Sequence, residues 1–262
     1  MVSRSDERRL AFGSVAELYD ELRPSYPSAL IDEVLERSHA DRALEVGTGT
    51  GKATTLFAAR GVSIVALEPS SEMAAIARRN CAPFADVEIV LSDFERFDTR
   101  GERFPLLFSA QAWHWVSRGA RHTKARAAMS KGGVLAAFWN RPNWEHSALR
   151  EPLRAAYRQA GADGIDGPMN PGGPARRWWR GDWRAEIGAA AGFDQPAVRH
   201  YNWPREYSTE QYVGLLQTHS DHIVLEHDRR QALLEAVAAV IDRDGGRLQV
   251  SYDVVLCLAT AR

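Results

Sequence analysis

The stretch Leu44-Glu45-Val46-Gly47-Thr48-Gly49-Thr50-Gly51 decides the predicted fold of this 262-residue chain. A short apolar run leads into a loop in which every second residue is glycine. An apolar strand that passes through glycines into a helix is typical of a strand-helix-strand unit in a parallel sheet. Glycines at this bend allow positive φ angles and let the backbone approach a ligand closely. The stretch therefore predicts a ligand-binding loop at the carboxyl edge of an α/β sheet.

The sequence on both sides of the glycine loop continues the alternation of strands and helices. Predicted strands cover residues 43–46, 62–67, 87–91, 106–111, 134–139 and 248–259. Predicted helices cover residues 14–22, 27–37, 52–60, 116–129, 145–160 and 229–242, with one more that begins after Ser70 or Ser71. Gly61 is expected to end the helix at 52–60, and Gly132-Gly133 is expected to form a turn. The pattern favours one α/β domain over residues 1–262.

Four parts of this domain can be distinguished. Residues 1–40 are expected to form an N-terminal helical cover, and residues 41–140 the ligand-binding core. Residues 141–196, which are rich in glycine and proline near 161–174, are predicted to be a mobile insertion or lid after the fifth strand, with one helix. Residues 197–262 supply the remaining sheet and helices.

Composition excludes several classes of protein. A formal net charge of -1 and an isoelectric point near 6.7 provide no broad basic surface, which disfavours nucleic acid as a partner. Cys81 and Cys257 lie far apart in sequence, so neither a disulfide scaffold nor a zinc site is indicated. No apolar run approaches the ~20 residues of a membrane span, and the N-terminus is polar. We expect a cytoplasmic protein without a membrane partner.

The spacing of the glycines distinguishes this loop from two common nucleotide-binding motifs. In a phosphate-binding GxxxxGK[ST] loop, Val46 would occupy the first glycine position and Ala53 the hydroxyl position. In a dinucleotide GxGxxG loop, Lys52 or Thr54 would occupy the third glycine position, so a nicotinamide enzyme is possible but strained. The observed ExGxGxG pattern fits neither motif.

Acidic residues end the second and third predicted strands. Glu68 can accept both ribose hydroxyls of an adenosine, and Asp93 can accept its exocyclic amine. Met73 and Phe94 could hold the adenine ring between them. The alternative is that both carboxylates are solvated strand ends.

These motifs resemble the class I S-adenosylmethionine (SAM)-dependent methyltransferases. The resemblance rests on residues 44–51, on Leu67-Glu68-Pro69-Ser70 and on Ser92-Asp93-Phe94. Residues 19–27 and 110–116 are similar to the small-molecule branch that includes trans-aconitate and quinone-type methyltransferases. The likeness covers residues 12–139 well and the final strand weakly, while residues 141–196 match nothing specific.

The resemblance implies a Rossmann-like, doubly wound, seven-stranded and mostly parallel sheet with an antiparallel last strand. It implies SAM as cofactor, with S-adenosylhomocysteine as product, and no metal, because clustered acidic ligands are missing after the fourth strand. In the family, the glycines meet the methionine part, Glu68 the ribose, and the residues after the fourth strand the amino end. The predicted cofactor-binding residues are Glu45, Gly47, Thr48, Gly49, Gly51, Glu68, Pro69, Met73, Asp93, Phe94, Ala110, Gln111 and, from the N-terminal cover, Tyr19 and Arg23.

The predicted acceptor site lies just after the fourth strand. Methyl transfer gains mostly from alignment and from exclusion of water, and a base helps only if the acceptor still carries a proton. His114 is the candidate catalytic base or acceptor-orienting group, with Trp113 and Trp115 as walls. The alternative is a structural histidine flanked by core tryptophans.

Two further clusters leave alternatives open. Arg177, Trp178 and Trp179 could anchor a substrate under the insertion, pack the insertion onto the core, or form an interface. His219, His222 and His227 could suggest a metal, but solvated helix histidines are favoured.

The predicted function is metal-independent methylation of a small molecule, with O-methylation of a carboxylate or hydroxyl as one option, by a monomer or homodimer. A non-catalytic SAM-binding module and an NAD(P)-dependent oxidoreductase are the alternatives.

Overall fold

The computed structural model describes residues 15–165, 167–172 and 182–262. Its strands form a seven-stranded sheet in the order β3-β2-β1-β4-β5-β7-β6, with the last strand antiparallel. The strands are β1 (Arg42–Val46), β2 (Ser63–Glu68), β3 (Val87–Leu91), β4 (Phe104–Ala110), β5 (Met129–Asn143), β6 (Ala197–Ser208) and β7 (Arg247–Thr260). The predicted Rossmann-like fold, including its antiparallel final strand, is confirmed.

Helices precede β1 and lie between most consecutive strands, although the described residues between β3 and β4 contain none. They are α1 (Ala16–Leu22), α2 (Ser28–Ser38), α3 (Lys52–Ala58), α4 (Ser71–Cys81), α5 (Arg121–Ala128), α6 (Arg150–Gln159), α7 (Trp183–Gly188), α8 (Thr209–Gln217), α9 (Ser220–Ile223) and α10 (His227–Arg243). Gly61 follows α3 with a φ of +82°, the left-handed conformation predicted for it. In the described part of the chain, no helix has both the length and the apolar character needed to cross a bilayer.

The strand order brings the ends of four parallel strands together. β1 pairs in parallel with β2 on one side and with β4 on the other, while β3 pairs with β2. In parallel sheets the carboxyl ends of the strands share one edge, and ligands bind beyond that edge where the strand order reverses. Because β1 begins the chain of parallel strands and has neighbours on both sides, the glycine loop after β1 lies at this switch point.

The chain divides into two compact units with separate cores. The first comprises residues 1–24, 141–177 and 202–253, and the second comprises residues 25–140, 178–201 and 254–262. Large buried side chains of the first unit include Tyr157, Tyr207 and Tyr212, and those of the second include Phe104 and Trp113. Three of the boundaries, after residues 140, 201 and 253, fall within β5, β6 and β7.

The helix predicted at 116–129 is shorter in the structure. Residues Trp113–Trp115 form a 3₁₀ turn, and Val116 is extended with a ψ of 138°, so a continuous helix cannot pass through it. The helix α5 begins only at Arg121. The strand β5 begins at Met129, earlier than predicted. It includes Gly132 and Gly133, which were predicted to form a turn.

The insertion also departs from the prediction. It was expected to contain one helix over 145–160, whereas the described residues between β5 and β6 contain α6, which begins later, and the short α7. The Asp182 side chain caps α7 by accepting a hydrogen bond from the Ala185 N–H at 2.8 Å. Six residues make too short a segment for the helical periodicity of the sequence to detect.

Candidate cofactor and acceptor site

The glycine loop adopts a backbone that side chains disfavour. Gly47, Gly49 and Gly51 have φ angles of +75°, +60° and +87°. A Cβ at Gly47 would lie 2.4 Å from the Cβ of Ala112, which follows β4. A Cβ at Gly49 would meet no atom of the described residues within 4 Å, apart from its own chain neighbours. Glycine is therefore required at 47 by close packing, whereas the backbone at 49 faces open space that a ligand can occupy.

The carboxylate of Glu68 is hydrogen-bonded to this loop. Its Oε2 accepts a hydrogen bond from the Gly49 N–H at 2.8 Å, and its Oε1 accepts one from the Ser70 N–H at 2.9 Å. The residue is buried, with 7% exposed. A carboxylate oxygen can accept more than one hydrogen bond, and these two bonds fix the group beside the loop. The paired hydroxyls of a ribose are donors that such a carboxylate can accept.

Glu45 is a second carboxyl group beneath the loop, in a different environment. It is fully buried, and its Oε2 accepts a hydrogen bond from the Thr54 hydroxyl at 2.5 Å. The Thr48 and Thr54 hydroxyl oxygens are also 2.5 Å apart. Burial raises the pKa of Glu45 to about 8, against the opposing effect of these hydroxyls. Glu45 is therefore mostly protonated at neutral pH, and its Oε1 has no hydrogen-bond partner in the described residues.

The ends of β2 and β3 are joined by the backbone. The Ser92 N–H donates to the Glu68 carbonyl at 3.1 Å, so Asp93 follows at the same edge of the sheet. Asp93 accepts a hydrogen bond from the Arg96 N–H at 2.8 Å, and its other oxygen lies 3.5 Å from the Arg96 Nε. Phe94 is buried, 6.0 Å from the ring of Trp113.

The start of α4 positions two further predicted residues. The Ser70 hydroxyl accepts a hydrogen bond from the Met73 N–H at 3.3 Å and caps the helix, as predicted. Met73 is 3% exposed and points its side chain into the protein, while Pro69 is half-buried.

The end of β4 lies against the glycine loop on its other side. The Ser109 hydroxyl donates to the Val46 carbonyl at 2.8 Å. Gln111 has a positive φ of 61°, and its N–H donates to the Phe138 carbonyl at 2.9 Å. Ala110 is half-buried. The structure thus brings together the loops after β1, β2 and β4, as their motifs predicted.

His114 lies in the 3₁₀ turn after β4 and bonds to β5. Its Nδ1 accepts a hydrogen bond from the Trp139 indole N–H at 3.2 Å, and the Trp115 ring lies 4.7 Å from its own ring. Burial lowers the pKa of His114 to about 3, and the positive charge of Arg121 adds to this effect. At neutral pH the imidazole is therefore uncharged. Trp113 is fully buried in the core, which indicates packing rather than the predicted wall of a substrate site.

Sequence analysis missed the residues that hold this turn. Arg121 is 1% exposed, forms an ion pair with Glu186, and donates to the carbonyls of Trp113 and Val116 at 3.4 and 3.3 Å. Its guanidinium lies 4.9 Å from the centre of the Trp183 ring. The position of Trp139 at the end of a predicted strand beside β4 was an available signal, but α7 offered none.

Other predicted site residues have different outcomes. In the first unit, Arg23 donates to the hydroxyl and carbonyl of Thr218 at 2.9 and 2.7 Å and stacks 4.7 Å from the Tyr19 ring. That Tyr19 and Arg23 close over a cofactor stays a prediction. The predicted substrate residues Arg177, Trp178 and Trp179 lie outside the described residues.

The sequence favoured solvated positions for His219, His222 and His227, but two of these three histidines are buried. His222 is fully buried and its Nε2 lies 2.8 Å from the Tyr157 hydroxyl, while its Nδ1 lies 3.5 Å from a carboxylate oxygen of Asp221. His219 is also buried, and His227 is exposed at the start of α10. Within the described ranges no cluster of three histidine, cysteine or acidic residues could hold a metal.

Comparisons with known proteins bear on this geometry. Residues 43–133 match the family model of a methyltransferase domain. An uncharacterised methyltransferase of Mycobacterium tuberculosis is 35% identical over 131 residues, which are 50% of this chain and 52% of that protein. A probable SAM-dependent methyltransferase of Saccharomyces cerevisiae is 26% identical over 155 residues, covering 53% of this chain and 50% of that one. The chain spans about half the length of the curated relatives it matches.

Solved structures share the fold. A candidate type II methyltransferase from Anaeromyxobacter dehalogenans superposes with a TM-score of 0.64 at 19% identity and covers 90% of this chain and 97% of its own. A Haemonchus contortus phosphoethanolamine N-methyltransferase solved with SAM has a TM-score of 0.51 at 14% identity, covering 98% of this chain and 58% of that chain. The matched segment 43–133 contains the glycine loop, Glu68, Asp93 and His114. The family match therefore concerns residues 43–133, and the solved structures, all below 25% identity, share the fold.

Proposed function

We propose that this chain methylates an oxygen of a small molecule, a carboxylate or a hydroxyl, with SAM as cofactor and without a metal. The observation that carries the proposal is the Glu68 carboxylate, bonded to the Gly49 N–H beside a loop whose three glycines all have positive φ. The proposed acceptor class rests on the resemblance of residues 19–27 and 110–116 to the branch that includes trans-aconitate and quinone-type methyltransferases. We propose one small-molecule site in this chain, and neither a nucleic acid nor a membrane as partner.

The residues fit the parts of SAM in sequence along the sheet edge. Glu68 accepts the ribose hydroxyls, and Asp93 accepts the exocyclic amine of an adenine that lies between Met73 and Phe94. The open side of Gly49 admits the methionine part, and the polar backbone at Ala110 and Gln111 faces its amino end. The buried Oε1 of Glu45 has no hydrogen-bond partner among the described residues, and it would accept a hydrogen bond from a donor of the methionine part. SAM would supply an activated methyl group to this site.

The protein contributes mainly alignment to such a reaction. A carboxylate acceptor is ionised at neutral pH and needs no base, whereas a phenol with a pKa near ~10 retains its proton. His114, held after β4, orients the acceptor oxygen, and the half-buried Trp115 covers its ring. Placing the reacting atoms at ~3 Å and excluding water are the two largest effects available to this site.

A steric variant with a matched control tests the cofactor site. Gly49→Ala and Gly61→Ala both add a Cβ at a positive φ that contacts none of the described residues beyond its chain neighbours, so both incur a strain of about 1 to 2 kcal/mol. Only Gly49 lies in the proposed site. We expect the affinity for S-adenosylhomocysteine to fall at least about 10-fold in Gly49→Ala and to stay unchanged in Gly61→Ala. Equal affinities in the two variants would contradict the proposal.

Two measurements separate this function from its alternatives. S-adenosylhomocysteine, and not NADH, is expected to raise the melting temperature, because a ligand that binds only the native state stabilises it. A nicotinamide enzyme would give the opposite result. Incubation with methyl-labelled SAM and a panel of carboxylic acids and phenols should then yield labelled product, whereas a non-catalytic binding module would bind the cofactor without transferring label.

A further inference from the structure

The hydrogen bond between Trp139 and His114 fixes the position of a proton. An indole N–H is only a donor, so the His114 Nδ1 that lies 3.2 Å from it must be an acceptor. An imidazole with a lone pair on Nδ1 is neutral, and its single proton is then on Nε2. A proton on Nδ1 would place two N–H groups against each other. The indole therefore excludes both the other tautomer and the imidazolium.

The indole that makes this bond is itself firmly held. Trp139 is 2% exposed and stacks on Trp183, with ring centres 4.8 Å apart and an interplanar angle of 15°. Trp183 lies under the guanidinium of Arg121, which forms an ion pair with Glu186 on the same short helix, α7. Trp139 cannot easily rotate to release His114, because its ring lies within a stack.

The turn that carries His114 is held at both ends. Arg121 donates to the carbonyls of Trp113 and Val116, which flank the histidine in sequence. The cation of Arg121 also opposes protonation of the imidazole. Trp115 from the turn and Trp139 from β5 contact His114, and the carboxylate of Glu186 forms an ion pair with Arg121.

We propose that Trp139 is a positioning residue that locks His114 as the neutral tautomer with its proton on Nε2. A group that lies against Nε2 in the loaded site then meets a donor, and His114 binds the acceptor oxygen by donating a hydrogen bond. It does not remove the proton of the acceptor, because accepting it on Nε2 would require the existing proton to move to Nδ1, which faces the indole N–H. The catalytic part of this inference rests on the proposed function, while the tautomer itself does not.

Nitrogen NMR of the imidazole tests the tautomer without substrate. Long-range ¹H–¹⁵N spectra of the whole chain distinguish the two neutral tautomers and the cation, and the signals of His114 among the eight histidines are those lost in His114→Gln. We expect the wild type to show a protonated Nε2 and an unprotonated Nδ1 from pH 5 to pH 8. A proton on Nδ1 at any pH in this range would overturn the proposal.

Two variants of the stacked pair then test the cause. Trp139→Phe keeps an aromatic ring but removes the indole donor, so His114 should become a mixture of tautomers and titrate at a higher pH. Trp183→Phe disturbs the same stack without touching the bond to His114 and should leave its spectrum unchanged. Identical His114 spectra in wild type and Trp139→Phe would refute the lock. If Trp139→Phe does not fold, the wild-type spectrum still decides the tautomer.

Turnover tests the donor role separately. The amide nitrogen of glutamine can replace Nε2–H as a donor but cannot act as a base. We therefore expect His114→Ala to lower kcat about 10- to 100-fold, and His114→Gln to recover most of that loss. Equal losses in the two variants, with an unchanged Kd for S-adenosylhomocysteine, would show that basicity matters and would overturn the donor role. If the wild type does not bind S-adenosylhomocysteine at all, that result contradicts the proposed function and leaves the tautomer proposal untouched.

Discussion

Glu45 and Glu68 are the same chemical group on neighbouring strands, yet their surroundings differ. Glu68 accepts hydrogen bonds from two backbone N–H groups at 2.8 and 2.9 Å. Glu45 is fully buried, accepts a hydrogen bond from the Thr54 hydroxyl, and has its pKa raised to about 8 by burial. The difference teaches that position at a strand end does not decide the charge of a carboxyl group. The local donors and the burial decide it.

The largest expected effect on stability comes from neutralising Glu68. In Glu68→Gln an amide NH₂ must face one of the two backbone N–H groups, and two charge-assisted hydrogen bonds are lost or weakened. We expect the free energy of unfolding at pH 7.5 to fall by about 2 kcal/mol or more. Glu45→Gln should instead raise it, because at pH 7.5 the glutamate is ionised in the unfolded chain and must take up a proton on folding, whereas glutamine is neutral in both states. Urea denaturation measures both, and equal losses would break the comparison.

The pH dependence of stability should reveal Glu45. Its pKa is about 8 in the native state and near 4.5 in the unfolded chain, so its contribution is fully present below pH 4.5 and is lost as the pH rises to about 8. Across that window the wild type should lose up to about 1.4 kcal/mol per pH unit relative to Glu45→Gln. Denaturation of both proteins at pH 5, 6, 7 and 8 gives the difference. Parallel curves would show that Glu45 is ionised.

A smaller effect is expected from the Thr54 hydroxyl that bonds to Glu45. Thr54→Val keeps the shape of the side chain but removes this hydroxyl, so the buried carboxyl loses the bond at 2.5 Å. We expect a loss of about 1 kcal/mol in the free energy of unfolding at pH 6. Thr55→Val, on the next residue of α3, removes a half-buried hydroxyl that bonds to the Lys52 carbonyl at 3.2 Å and serves as the control. A loss no greater than that of the control would contradict the importance of this bond.

The sequence predicted the elements whose signals are local. The apolar runs, the glycines at 47, 49 and 51 and the acidic strand ends each lie within a few residues of what they do. Six strands and the loops at the carboxyl edge of the sheet were therefore predictable, whereas β6 was not predicted from the pattern. The cap at Ser70 was predictable for the same reason.

The remainder depends on contacts between residues distant in sequence. Arg121 and Glu186 are 65 residues apart, and Trp139 stacks on Trp183 from an insertion with no readable pattern. The burial of His222 arises in the same way, from Tyr157 on another helix. Periodicity also overestimated α5, because the extended backbone of Val116 leaves no mark on an apolar pattern.

The central claim is that Glu68 holds the ribose of SAM at the edge of the sheet. Titration calorimetry of S-adenosylhomocysteine into the wild type, Glu68→Ala and Glu88→Ala tests it directly, because Glu88 is an exposed carboxylate on β3 and controls for the lost charge. We predict binding to the wild type and to Glu88→Ala with the same Kd, and a Kd at least about 100-fold weaker for Glu68→Ala, since two charge-assisted hydrogen bonds to the ribose are lost. Equal affinity in Glu68→Ala and Glu88→Ala would contradict the claim.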